Sequence, residues 1–206
     1  MIKIITIVAL FICSLASAQT QYEQGMTKAL ELWNQGKTAE STALFERIAA
    51  VEKDNWLPNY YIALMNSTAA IGLKDKDKMI AMVNKAQNAL DVELIKTPNN
   101  PELFVVQALI NTVWIVFDPM TNGQKLSPKT MELYEKAIAL APENPRVVLS
   151  KAEFEIGAAS FWGTDTKPMC DEVKRSIVLF EKQKLATPFS PKWGRERADA
   201  LLKNCK

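Results

Sequence analysis

Three observations in this sequence predict an all-α fold, arranged as about four antiparallel helix pairs with a short helix capping the C-terminal end. Apolar residues recur at three- and four-residue spacing along nearly the whole chain. No stretch sustains the period-two alternation of a half-buried strand. Turn signals punctuate the periodic segments at Gly36-Lys37, Lys53-Asp54-Asn55, Gly72, Thr97-Pro98-Asn99-Asn100-Pro101, Pro142 to Pro145 and Thr187 to Pro191. Hydrophobic residues make up 48% of the chain and charged residues 23%, the balance of a folded domain and not of a disordered one.

The first 18 residues stand apart. Lys3 precedes an apolar run from Ile4 to Leu15, which closes on Ala16-Ser17-Ala18. That order is a charged region, a short hydrophobic region and a small-x-small cleavage site, so 1–18 reads as an export signal cut after Ala18. The run is about a dozen residues, whereas a membrane-spanning helix needs roughly 20. Cys13 raises lipoprotein processing as a competitor, but the residue before it, Ile12, is not the small one such a site needs. The mature part, 19–206, has the size of one domain and no transmembrane segment, and its expected place is the periplasm or the extracellular medium.

In the mature part, the first helix is expected from about Tyr22 to Asn34 and its partner from Thr38 to Val51, with Ala39, Ala43, Phe45, Ile48 and Ala49 facing inward. The third runs from Leu57 to Ile71, with Pro58 in its first turn, and the fourth from Asp75 to Lys96. The fifth, Pro101 to Phe117, is apolar almost all round and belongs in the middle of the stack. A polar insertion from Asp118 to Ser127 is read as a loop before a sixth helix at Lys129 to Leu140. The fourth pair spans Pro145 to Ser160 and Pro168 to Ala186, joined by a loop holding Phe161 and Trp162. A final helix, Lys192 to Lys203, caps the open end.

Histidine is absent, which removes the usual general base at neutral pH and the commonest metal ligand. Losing Lys3 leaves 24 Lys and Arg against 23 Asp and Glu, so nothing argues for nucleic acid or an anionic surface. Cys170 and Cys205 remain after export, where disulfides form and persist. A structural staple between them is one reading; unpaired thiols, a reactive thiol or a metal site are the others. Without histidine or a CxxC spacing no metal and no cofactor is expected.

Leu133-Tyr134-Glu135-Lys136-Ala137-Ile138-Ala139-Leu140-Ala141-Pro142-Glu143-Asn144-Pro145 resembles the second helix and exit turn of a tetratricopeptide repeat, with Tyr134, Ala137 and Pro142 at the aromatic, small and proline positions. Gly36 with Leu44 to Ala49, and Ser176 to Lys182, resemble a first and a last such unit. Against a usual period of about 34 residues, Phe45, Tyr134 and Phe180 lie 89 and 46 apart, so insertions lengthen the units. The Trp-Leu-Gly-Tyr pattern of the first helix is not cleanly present. The chain is thus similar to a divergent, exported bacterial member of that family.

That resemblance implies a right-handed stack of helix pairs whose first helices line a groove for a peptide or protein partner. Candidate groove residues are Tyr60, Asn66, Asn111 and Trp162, with Trp114 and Phe161 beside them. Trp114 sits on the apolar fifth helix, where a core role competes. Asn66 and Asn111 resemble the asparagines that grip a peptide carboxylate, but the matching lysines are not evident. Lys192, Arg195, Arg197 and Lys203 on the last helix read as a solvated face. The expected function is a non-catalytic interaction module; the alternative is an envelope enzyme using carboxylate or Lys chemistry on a helical scaffold.

Overall fold

The chain's computed structural model describes residues 21–205, so the export signal expected over 1–18 and Cys13 lie outside the described residues. Described helices are α1 over 21–34, α2 Thr38–Val51, α3 Leu57–Ala70, α4 Lys76–Lys96, α5 Pro101–Phe117, α6 Pro119–Leu140, α7 Pro145–Trp162, α8 Lys167–Lys182 and α9 Arg195–Asn204. No strand occurs among the described residues, and none of the described helices is long and apolar enough to cross a membrane.

Local chemistry sets the helix starts. Asp75, Asn100, Asp118 and Asn144 are N-caps whose side chains accept from amides two or three residues on, at 2.9 to 3.1 Å. Each such bond satisfies an amide that the helix itself leaves without a partner. Pro101, Pro119 and Pro145 follow as first helical residues, where a missing N–H costs nothing. Gly36 and Gly163 sit at φ of 75° and 69° to close α1 and α7, a conformation that suits glycine.

Two expectations fail here. The insertion expected as a loop is helical: α6 begins at Pro119 and carries Pro128 inside it. Its turn-forming composition loses to packing along α5, and Asn122 Nδ2 donates to the Trp114 carbonyl (2.8 Å) across the turn. Phe161 and Trp162 belong to the last turn of α7, because the left-handed residue that stops the helix is Gly163.

Pairs α3–α4, α5–α6 and α7–α8 are antiparallel hairpins, each helix packs on the next in sequence, and α3, α5 and α7 also touch one another. A register of 44 to 46 residues runs through the pairs. Ser41, Ala86, Thr130 and Ser176 are fully buried at equivalent places on the even-numbered helices, each with a large residue four positions later: Phe45, Leu90, Tyr134 and Phe180. Ala63, Ala108 and Ala152 hold the matching place on α3, α5 and α7. Small residues let the helix axes approach to about 8–10 Å, and the larger side chains fill the space beside them.

Cys170 on α8 and Cys205 just beyond α9 form a disulfide, with Cα atoms 5.8 Å apart. Between α8 and α9, residues 183–194 run as an irregular segment back over the stack.

Candidate functional site

The N-terminal ends of α3, α5 and α7 meet in a buried polar network. Glu102, the second residue of α5, accepts from Arg146 Nε at 2.9 and 3.0 Å, from Arg146 Nη2 at 2.6 Å, from Asn144 Nδ2 at 2.7 Å and from the Tyr60 hydroxyl at 3.2 Å. Trp193 Nε1 donates to the Tyr60 oxygen (2.7 Å), and Arg146 Nη1 donates to Gln183 (3.1 Å). Both of these last residues come from the 183–194 segment. Burial, with the nearby Glu102 carboxylate, pushes the Tyr60 phenol well above its ordinary value. No buried side-chain polar atom lacks a partner among the described residues.

The same segment covers the neighbouring face. The Tyr61 hydroxyl donates to the Phe189 carbonyl (2.8 Å), the Phe189 ring meets Tyr22 edge to face at 5.6 Å, and Trp193 packs between the α3 and α5–α7 parts of the core. At Gly194, φ is 111° and a Cβ would stand 2.6 Å from the Phe180 ring, so only glycine fits. On this face Tyr22, Tyr60 and Tyr61 are therefore in contact with the chain's own segment.

Two of the sequence-derived candidates end up inside. Tyr60 is fully buried in the network above, and Asn66 donates to the Ile62 carbonyl (2.8 Å) and to Thr42 (3.2 Å). Neither presents a free group to a groove. Asn111 is half-buried and accepts from Gln107, which also exchanges bonds with Gln87. Trp114 is half-buried against the core. In the basic cluster, Arg195 pairs with Asp199 and Glu181, and Arg197 with Glu153.

Phe161 and Trp162 are different. They are 55% and 76% exposed, and their rings meet edge to face at 5.0 Å. They lie at the hairpin-tip end, opposite the polar network, where α3, α5 and α7 finish. Ile71 and Val116 occupy equivalent places there, and with Phe161 at the end of α7 all three are exposed. Met120, 83% exposed, opens α6 at the same end. Asp118 is held below the usual carboxylate range by the bonds it accepts from Thr121, with a smaller contribution from Lys76. Gly157 and Ala158, one turn before Phe161, leave that wall thin. Lys74, Lys76 and Lys167 are exposed on the surrounding turns.

No group of His, Cys, Asp or Glu suited to a metal ion occurs among the described residues. The buried charges Glu102 and Arg146 are spent on each other. What the hairpin-tip end offers is a set of exposed apolar side chains, two of them aromatic, and three exposed lysines, Lys74, Lys76 and Lys167. Sequence reasoning missed the Glu102–Arg146 pair, Phe189, Trp193 and Met120. A signal existed in Asn100-Pro101-Glu102 and Asn144-Pro145-Arg146, the same motif 44 residues apart with opposite charges.

No protein-family model matches the chain, and no curated protein matches it. Among solved structures it is similar to the HusA haemophore from Porphyromonas gingivalis, at 20% sequence identity and a TM-score of 0.79, over 90% of this chain and 92% of that one. At that identity the likeness establishes a shared all-helical fold.

Proposed function

We propose that the chain is an exported, non-catalytic carrier that holds a flat, largely apolar ligand of the haem type on its hairpin-tip end. The observation that carries this reading is Trp162, a tryptophan ring 76% exposed beside Phe161 on a helix end. Exposed aromatic rings of this kind mark binding hot spots, because water gains little from them and a stacked partner gains much. A haemophore of the same fold over nearly its whole length supports haem as the ligand class. The lysines on the surrounding turns suit a ligand with carboxylate arms.

The stacking of the pairs in the right-handed manner of tetratricopeptide repeats belongs to the same reading. It is supported by the contacts among α3, α5 and α7 and by the 44- to 46-residue register, a lengthened version of the usual repeat of about 34. A peptide groove along α1, α3 and α5 is disfavoured, since Phe189 and Trp193 already lie there.

Titrating haemin into the mature chain and following its absorption tests the proposal. Saturable binding is expected, and Phe161→Ala with Trp162→Ala weakens it at least tenfold, about 1.4 kcal/mol. Absence of a saturable change in the parent protein sinks it.

A further inference from the structure

We propose that the cleft between the end of α8 and the start of α9 binds a small acid with an apolar stem, in its simplest form an alkyl carboxylate. Phe180, Glu181, Gln183, Leu185, Lys192 and Arg195 line this cleft, whose volume is about 360 Å³. Small-molecule sites span roughly 300–1,000 Å³, so this one suits a short chain. It lies at the rim where residues 183–194 return over the stack, away from Phe161 and Trp162, and the inference is therefore independent of the carrier reading above.

Each wall supplies a different part of the chemistry. The Phe180 ring packs on the bare Cα of Gly194, where a Cβ would stand 2.6 Å from it. Leu185 is 41% exposed, and with Phe180 it gives the cleft an apolar side on which buried methylenes leave water. Gln183 is oriented from within the protein: its Oε1 accepts from the buried Arg146 Nη1 (3.1 Å), which leaves its amide N–H groups as donors with no acceptor among the described residues. Arg195 is engaged by Glu181 at 3.5 Å and by Asp199, so the carboxylate in the lining is already compensated. Lys192 is exposed and makes no hydrogen bond or ion pair with any described residue. The basic cluster at the start of the last helix thus keeps one unspent cation at the cleft. A carboxylate placed there meets an ammonium and an oriented amide together, and charge-assisted hydrogen bonds of that kind are roughly twice as strong as neutral ones. An alcohol of the same length would lose that advantage.

Isothermal titration calorimetry of octanoate, 1-octanol and acetate into the mature chain at low salt tests the assignment, with Lys192→Met, Leu185→Ser and Lys184→Met beside the parent. Octanoate is expected to bind the parent saturably at one site, about tenfold more tightly than octanol, while acetate, which lacks the stem, does not saturate. Lys192→Met should bring octanoate down to the level of octanol and leave octanol unchanged. Leu185→Ser should weaken both, and Lys184→Met, whose lysine is outside the lining, should match the parent. Octanoate binding that survives Lys192→Met, equal binding of octanol and octanoate to the parent, or no saturable octanoate binding overturns the assignment. Haemin titration of Lys192→Met is expected to match the parent. Haemin binding without octanoate binding removes this inference alone, and octanoate binding without haemin binding removes the carrier reading alone.

Discussion

At the ends where α3, α5 and α7 begin, a carboxylate, a guanidinium, a phenol and an indole satisfy one another under a segment of the chain's own backbone. Where the same three helices finish, Ile71, Val116, Met120, Phe161 and Trp162 are exposed, with no covering segment among the described residues. The helices are continuous between the two ends, so backbone propensity does not account for the contrast. It comes from the return of residues 183–194, whose Phe189 and Trp193 cover one end only. One rim of the stack of hairpins is partly covered by the chain's own 183–194 segment, although Val51 and Ile95 stay exposed there; no described residue does the same at the other rim.

Breaking the covered end should produce the largest effect. Arg146→Ala leaves Glu102 charged, buried and short of three hydrogen bonds, and is expected to cost about 3–5 kcal/mol in urea unfolding. A loss below about 1 kcal/mol would show that the network is not what ties α3, α5 and α7. Next comes the disulfide, which closes a 35-residue separation around the covering segment. Cys170→Ser with Cys205→Ser should remove roughly 3–4 kcal/mol in the loop-entropy picture, with no further loss on adding reductant. Sensitivity to reductant in that double variant would contradict it.

The two ends also differ in pH response. Tyr60 has a raised folded-state pKa, so its contribution is complete below 10.0, the ordinary phenol value, and is lost as pH rises above it. Asp75 and Asp118, the caps at the open end, have lowered values; their contribution is present above 3.8 and fades as pH falls below it. Hydrogen exchange across pH should therefore show α3 and α5 beginnings loosening in alkali, and α4 and α6 beginnings in acid. The smallest effect is expected at the open rim itself. Phe161→Ala with Trp162→Ala should change stability by about 0.5 kcal/mol or less in urea unfolding, because the exposed rings bury little. A large loss there would mean that the pair is structural.

Local signals made much of the fold legible. Gly36-Lys37 and the Thr97 to Pro101 turn placed the starts of α2 and α5, and the compartment argument offered the Cys170–Cys205 bridge as one reading. The 118–127 segment was misread because Pro119, Gly123 and Pro128 are loop formers by composition, while α6 packs on α5 and Asn122 bonds to the Trp114 carbonyl. Tyr60 was misplaced because its partners, Glu102 and Trp193, lie 42 and 133 residues away. Such contacts leave no periodic trace in a sequence. Trp162 is exposed, and its helix runs two residues further than turn chemistry suggested.

The bridge between Cys170 and Cys205 also bears on how the protein meets proteases. The most accessible stretch of the covering segment, Lys184 to Pro188, is an obvious place for a nick. Cleavage there leaves α9 and the downstream aromatic Trp193 joined through sulfur to α8, so the wound does not release a fragment. A nicked molecule would migrate as an intact one until a thiol is added, with Trp193 still held against Tyr60.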